Sequence, residues 1–501
     1  MSASGPRLQP TLFELSKPGR GGGKVPHPPA DALDRIPADQ QRQAPPALPE
    51  LNEPEVVRHY VNLSQLNHAV DTGFYPLGSC TMKWNPKVNE WAARLPGFAA
   101  LHPLSPDAVA QGTLQLLWEL EQILVEISGM QAVTLQPAAG AQGELTGILM
   151  IRAYHAARGD TGRTEVLVPD SAHGTNPATA TMAGLRTVSI KAAPDGGLDL
   201  AAFKAALGPQ TAAVMITNPS TMGLFESRIG ELIEAVHAVG ALAYMDGANL
   251  NAILGRFKPG EAGFDVMHIN THKTFSTPHG GGGPGAGPVG VGEKLLPYLP
   301  SPRVLRNDDG TFRLERAGER PTSIGRLRAF AGSTGVLVRA YAYLKTHGAS
   351  GLAEITDDAV LAANYLKQRI SGSGAYDIPF HGVCKHEFIA SAASIKKRTG
   401  VRTLDIAKRL LDHGFHAPTV YFPLTVDEAM LIEPTETESI EMLDAFADTL
   451  IAIAREAETD PEAVTSAPHT APVRRLDEVG AARNPNLRWR PVPAAWTPCP
   501  D

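Results

Sequence analysis

A lysine, an aspartate and a histidine each follow a short apolar run in this 501-residue chain. Lys273 lies in HINTHKTFSTPHGGGGPG (268–285), 27 residues after Asp246 in YMDGANLN (244–251). A lysine held in a crevice loses its proton more readily and can act as an amine nucleophile. A carboxylate ending an apolar strand, as Asp246 does, is costly unless it meets a cation. His173, in PDSAHGTNPATA (169–180), can stack on a planar ring or relay a proton. Upstream, PAAGAQGE (137–144) precedes an apolar helix. The backbone N–H groups of Gly140, Ala141 and Gln142 can there receive an anion at the helix N-terminus. Thr217 and Asn218, in ITNPSTMG (216–223), offer neutral hydrogen-bonding groups at a turn that Asn-Pro enforces. Taken singly, each has a plainer role: a tight turn, a capping residue, a solvated lysine.

Together they fit one chemistry best. A lysine for a Schiff base, an acid for a pyridinium nitrogen, a stacking ring and a phosphate cradle are what pyridoxal phosphate requires at a parallel sheet. Two rival readings are poorer. Gly280, Gly282 and Gly285 match GxGxxG, but no helical pattern opens after them, so a dinucleotide site is not expected. His268 and His272 have the i, i+4 spacing of zinc ligands. They lie in a strand-to-loop segment, where that spacing does not share a face, and no metal is expected.

The elements that must hold these residues alternate. EVLVP (165–169), TVSI (187–190), AAVMIT (212–217), ALAYMD (241–246) and DVMHI (265–269) read as buried strands. Helical stretches separate them, such as GELIEAVHAVG (230–240), and a strong helix over 113–128 precedes them, closed by Gly129. That alternation predicts an α/β fold with a mostly parallel sheet, and ligands bind at the carboxyl ends of its strands. Residues 336–456 change character. A helix (336–346), a strand (387–394), a helix (403–414), a strand (429–435) and a helix (436–456), capped by Thr435 with Glu438, predict a small α+β domain. The expected division is an N-terminal arm (1–105), a large cofactor domain (106–335), the small domain (336–456) and a C-terminal tail (457–501). The Pro-rich first 55 residues, with GRGGGK and HPP, read as extended.

Composition narrows the class. Hydrophobic residues make up 43% and charged residues 19%, enough apolar content for a sizeable core. A net charge of −7 gives no basic field for nucleic acid or an anionic membrane. Three cysteines, Cys80, Cys384 and Cys499, make no disulfide framework and suit a reducing compartment. No apolar span could cross a membrane as a helix, and the first residues lack the core of a secretory signal, so a cytoplasmic location is expected.

Several segments resemble the P-protein of the glycine cleavage system, in particular its subunit 2. They are YPLGSCTMKWNPKVNE (75–90), QPAAGAQGE (136–144), AHGTNPATA (172–180), TNPSTMGLFE (217–226), MDGANLNA (245–252) and NTHKTFSTPHGGGGPGAGPVGV (270–291). The resemblance covers the chain from about residue 50 to PHTAPVRRLDEV (468–479). It implies a fold-type I pyridoxal-phosphate enzyme that decarboxylates glycine and passes the aminomethyl group to the lipoyl arm of the H-protein. By motif it implies Lys273 as the Schiff-base lysine, Asp246 at the pyridinium nitrogen and His173 stacked on the ring. Phosphate would sit at 139–142, with Thr217 or Asn218 and Asn249 as further contacts. Ser79, Cys80 and Thr81 would line the substrate side. Chain length and the single lysine motif match the split form, which implies a subunit 1 and an α2β2 assembly. Other fold-type I activities stay open, an aminotransferase or a cysteine desulfurase using Cys384 in GVCKHEF, as does a non-catalytic subunit.

Overall fold

The computed structural model describes residues 9–21, 28–44, 46–279 and 285–487. Gly280, Gly282, Cys499, part of GRGGGK and the end of the tail lie outside the described residues. The chain forms two units, residues 1–68 with 466–501, and residues 69–465. In the first, the helix Glu53–Gln65 starts at Asn52, whose side chain accepts from Glu55 N while Glu55 returns the bond to the cap. Glu50 accepts from Gly19 N and Lys17 N, and Arg20 pairs with Glu55, so part of the Pro-rich segment folds back on itself.

The main unit is built on a seven-stranded sheet. Its strands are β1 (Ala132–Thr134), β2 (Glu165–Pro169), β3 (Arg186–Ile190), β4 (Thr211–Thr217), β5 (Leu242–Gly247), β6 (Val266–Ile269) and β7 (Val289–Val291). Their order is β1-β7-β6-β5-β4-β2-β3. β7 runs antiparallel to both neighbours, and the other pairs are parallel. The five strands expected from sequence are β2 to β6. β3, at the sheet edge, is only partly buried, whereas β4 and β5 are covered on both faces: Val214, Ile216 and Met245 join one core, and Ala213, Met215 and Tyr244 the other. Such strands read as unbroken apolar runs. The helix expected over 113–128 spans Gln111–Ser128 and ends on Gly129 in the left-handed region (φ 69°).

A helical segment, Thr334–Gly372, breaks at Gly348 (φ 62°, ψ −176°) and leads into the second part of this unit. There β10 (Phe388–Ser391) and β11 (Thr419–Val420) flank β12 (Ala429–Ile432), all antiparallel; β8 (Val304–Arg306) and β9 (Phe312–Leu314) form a separate hairpin earlier in the chain. The helices Thr403–Asp412 and Ile440–Thr459 pack their apolar sides with β10 and β12 into a core of their own. One expectation is corrected. The helix expected over 436–456 starts at Ile440, and Ser439 caps it by accepting from Met442 N at 3.3 Å. Thr435 has φ 64° and its hydroxyl pairs with Thr437, so it cannot serve as the cap.

Candidate active site

Strands β4, β5 and β6 end level with one another. Thr217 is the register partner of Asp246, and Asp246 of His268. Partners in register point to the same face, so a hydroxyl, a carboxylate and an imidazole stand in a row at the carboxyl edge. The helix Gly140–Ala157 covers that face. Its glycines permit the approach: a Cβ on Gly147 would lie 2.3 Å from Tyr244 Cε2, and one on Gly143 3.1 Å from His268 Cβ.

Asp246 is buried, and both its oxygens are engaged. Asn176 Nδ2 donates to Oδ2 at 3.0 Å, and Ala248 N donates to Oδ1 at 3.0 Å. His268 Nε2 stands 3.4 Å from Oδ1, while its Nδ1 is 2.8 Å from Tyr244 Oη. Burial pushes the Tyr244 hydroxyl well above its usual range and the His268 imidazole below its own. The phenol therefore keeps its proton, and its contact with Nδ1 holds the imidazole with Nε2 facing Asp246. Glu144 lies nearby, its carboxyl raised to about 8 by burial and by the Asp246 charge. At neutral pH it is therefore uncharged and adds no second anion beside Asp246. Thr175 Oγ1 donates to Glu144 Oε1 at 2.7 Å and lies 2.9 Å from His173 Nδ1. Although the His173 residue reaches solvent, the surrounding walls, followed by the Lys273 charge, lower its pKa.

The helix Gly140–Ala157 has no side-chain cap; Ala139 precedes it in extended conformation. Its first-turn N–H groups thus face the cavity without a capping acceptor. Gly140 is sterically required here, since a Cβ would come within 2.5 Å of Asn270 Oδ1. Lys273 sits on the short helix Thr271–Thr274 that follows β6. Among the described residues, no hydrogen bond or ion pair engages its amine. Lys83 is the opposite case, buried and held by Glu436 (2.7 Å), Asn251 and Tyr343 (both 3.1 Å).

The far wall comes from β10 and β12. Glu387 Oε2 accepts from Ser79 N at 2.7 Å. Glu433 accepts from Thr81 N (3.0 Å), Thr81 Oγ1 (2.6 Å) and Asn249 Nδ2 (3.1 Å). Burial, then the charge of its Glu433 neighbour, pushes the Glu387 carboxyl well up; burial also raises Glu433. His386, whose Nε2 stands 3.5 Å from Glu387 Oε1 and whose ring nitrogens make no hydrogen bond, is lowered to about 3 by burial.

A cavity of ≈ 320 Å³ brings together Lys273, Asp246, His173, Gly140, Ala141, Thr217, Asn249, Ser79 and Cys80. Lys273 is the only lysine or arginine among the described residues lining it. The Thr217 hydroxyl is buried without a partner. Three expected residues do not line this cavity. The Gln142 side chain turns back to accept from Ala138 N at 2.6 Å. Asn218 Oδ1 accepts from Glu226 N at 3.0 Å, and Thr81 is tied to Glu433 behind the wall. Cys384 is buried outside the cavity, its thiol raised to about 11 by burial, which does not suit a mobile nucleophile. Sequence reasoning missed Glu144, Thr175, Asn176, Asn270, His279, His386, Glu387 and Glu433, and weighed His268 only as a metal ligand. Glu433 carried the signal that found Asp246, a carboxylate closing an apolar strand.

The chain matches the family model described as "Glycine cleavage system P-protein" over residues 31–413, and "Glycine dehydrogenase, C-terminal domain" over 355–472. It is 56% identical over 484 residues to a protein of Bacillus licheniformis named "Probable glycine dehydrogenase (decarboxylating) subunit 2", covering 96% of this chain and 99% of that one. A protein of the same name from Pyrococcus horikoshii is 54% identical, covering 96% of each. Among solved structures, an inhibitor-bound glycine decarboxylase (P-protein) superposes with a TM-score of 0.71 at 22% identity, over 84% of this chain and 94% of that chain. The architecture is that of fold-type I pyridoxal-phosphate enzymes. With matches that run nearly end to end, the chain belongs to the glycine cleavage system P-protein family.

Proposed function

We propose that this chain is the cofactor-holding subunit of a two-subunit glycine dehydrogenase (decarboxylating). It releases carbon dioxide from glycine and passes the aminomethyl group to the lipoyl arm of the H-protein. The observation that carries this reading is the convergence of an unpartnered lysine, a braced aspartate and an uncapped helix N-terminus on one cavity, in a chain whose relatives bear that name.

The residues present fit pyridoxal phosphate, the cofactor of this family. The first-turn amides of Gly140, Ala141 and Gln142 would receive its phosphate, and Lys273 would supply the amine that holds it. Asp246 would pair with its ring nitrogen, and His173 would stack on its ring. The partnerless Thr217 hydroxyl and Asn249 are further contacts. When bound, the cofactor accepts the electron pair left as the glycine carboxylate departs. The chain's own groups prepare for this. Asn176 and Ala248 N fix the direction of the Asp246 carboxylate, and neutral Glu144 leaves that carboxylate the local anion. The Lys273 amine, which no hydrogen bond or ion pair engages among the described residues, would serve to move a proton at the reacting carbon. Ser79 and Cys80 line the same cavity and would form its substrate side.

Subunit 1 is the implied partner, in an α2β2 assembly with lipoylated H-protein as the acceptor and the cytoplasm as the setting. No helix of the described residues is long and apolar enough to cross a membrane. The division into a large domain (106–335) and a small one (336–456) belongs to this reading; two cores support a division, although Val336 to Ile355 pack with the large core and the second core takes up from Ala363. The test is exchange of labelled bicarbonate into the glycine carboxyl, with subunit 1 and lipoylated H-protein present. Exchange that needs this chain is expected. No exchange, with transamination of other amino acids instead, would overturn the proposal.

A further inference from the structure

Cys80 reaches the cavity on a turn that the chain does not adopt freely. Ser79 (φ 63°) and Thr81 (φ 51°) both lie in the left-handed region on either side of it. For a β-branched residue this is a true outlier, and such conformations persist only where the surroundings over-determine them. Two carboxyl groups do so here. Glu387 immediately precedes β10 and Glu433 immediately follows β12, and their neighbours Phe388 and Ile432 are register partners. The two acids therefore face each other across the strand pair, and each accepts one strained N–H, from Ser79 and from Thr81. The approach to the turn is fixed as well. Gly78 N donates to Leu431 O at 3.2 Å, and a Cβ on Gly78 would lie 2.5 Å from that oxygen.

We propose that Glu387 and Glu433 are positioning residues, a two-carboxyl clamp that holds the Ser79–Thr81 turn and so sets the Cys80 thiol in the wall of the reaction cavity. Neither needs to touch substrate. Each acts through the backbone N–H that it accepts. That the thiol borders the glycine site rests on the proposed function; the clamp itself does not.

The test is the rate at which iodoacetamide labels Cys80 and Cys384 in the holoenzyme, followed by peptide mass spectrometry. It requires no turnover, so failure of the clamp and failure of the glycine reading are separable. Glu387→Met removes the acceptor for Ser79 N and is expected to change Cys80 labelling by about tenfold, the scale of one lost hydrogen bond. Cys384 labelling stays as it was. Glu387→Gln, which keeps one acceptor oxygen, restores the wild-type rate. If Glu387→Met does not accumulate as folded protein, Glu433→Gln serves. It leaves one acceptor oxygen for three donors and is expected to shift Cys80 labelling alone. Unchanged Cys80 labelling, a parallel rise at Cys384, or no rescue by Glu387→Gln would overturn the proposal.

Discussion

At the scale of single residues, burial shifts most of the site's ionisable groups towards their neutral forms around the braced Asp246 carboxyl. Burial lowers His173, His268, His272, His279 and His386 and raises Glu144, Glu387 and Glu433. Asp246→Asn is therefore expected to retain the cofactor absorbance but lose turnover by roughly a hundredfold or more, the scale of a lost electrostatic contact to the reacting system; near-normal glycine exchange would remove Asp246 from the ring nitrogen. Glu144 gives a pH signature with a definite sign. Its folded carboxyl holds a proton up to about pH 8, whereas the unfolded chain releases it near its ordinary value of 4.5. Between these values the folded state binds more protons, so this contribution to stability falls as pH rises. Glu144→Gln removes the ionisation. Its unfolding free energy should gain on wild type from pH 4.5 to about 8 and then level off, read by urea titration at a series of pH values; a constant difference would contradict the shift. Lys273 and Asp246 were legible in the sequence because each breaks an apolar run. Glu144 was not, since a glutamate one turn into a helix looks like a solvated residue until the packing above it is known.

At the scale of elements, the site depends on how closely the helix Gly140–Ala157 lies on the sheet. Gly147 faces the ring of fully buried Tyr244, and that ring has no room to move. Gly147→Ala should cost about 1–3 kcal/mol through overpacking, seen as a lower melting temperature. Because Tyr244 orients His268, weaker cofactor binding should accompany it. Unchanged melting would mean that the helix seats elsewhere. The inner strands β2, β4, β5 and β6 were readable because a doubly covered strand is a continuous apolar run, whereas β3, at the edge, is only partly buried. β1 and β7, three residues each, are too short to show a pattern, so the antiparallel strand near the sheet edge was missed. The Ser79–Thr81 turn was recognised by motif, but its dependence on Glu387 and Glu433 spans 308 and 352 residues. No local signal carries a pairing of that length.

At the scale of the whole molecule, the main unit carries every residue of the cavity between Ser79 and Glu387 on one chain. Family membership was readable from the long motifs, whereas the two-unit division, with residues 1–68 grouped with 466–501, follows from contacts distant in sequence. The central claim is that the partnerless amine of Lys273 holds the cofactor. Its most direct test is borohydride reduction of the yellow holoenzyme, followed by peptide mapping by mass spectrometry. A phosphopyridoxyl group on the peptide bearing Lys273, with loss of the visible absorbance, is the predicted result. A label on another lysine such as Lys83, or no label at all, would contradict it.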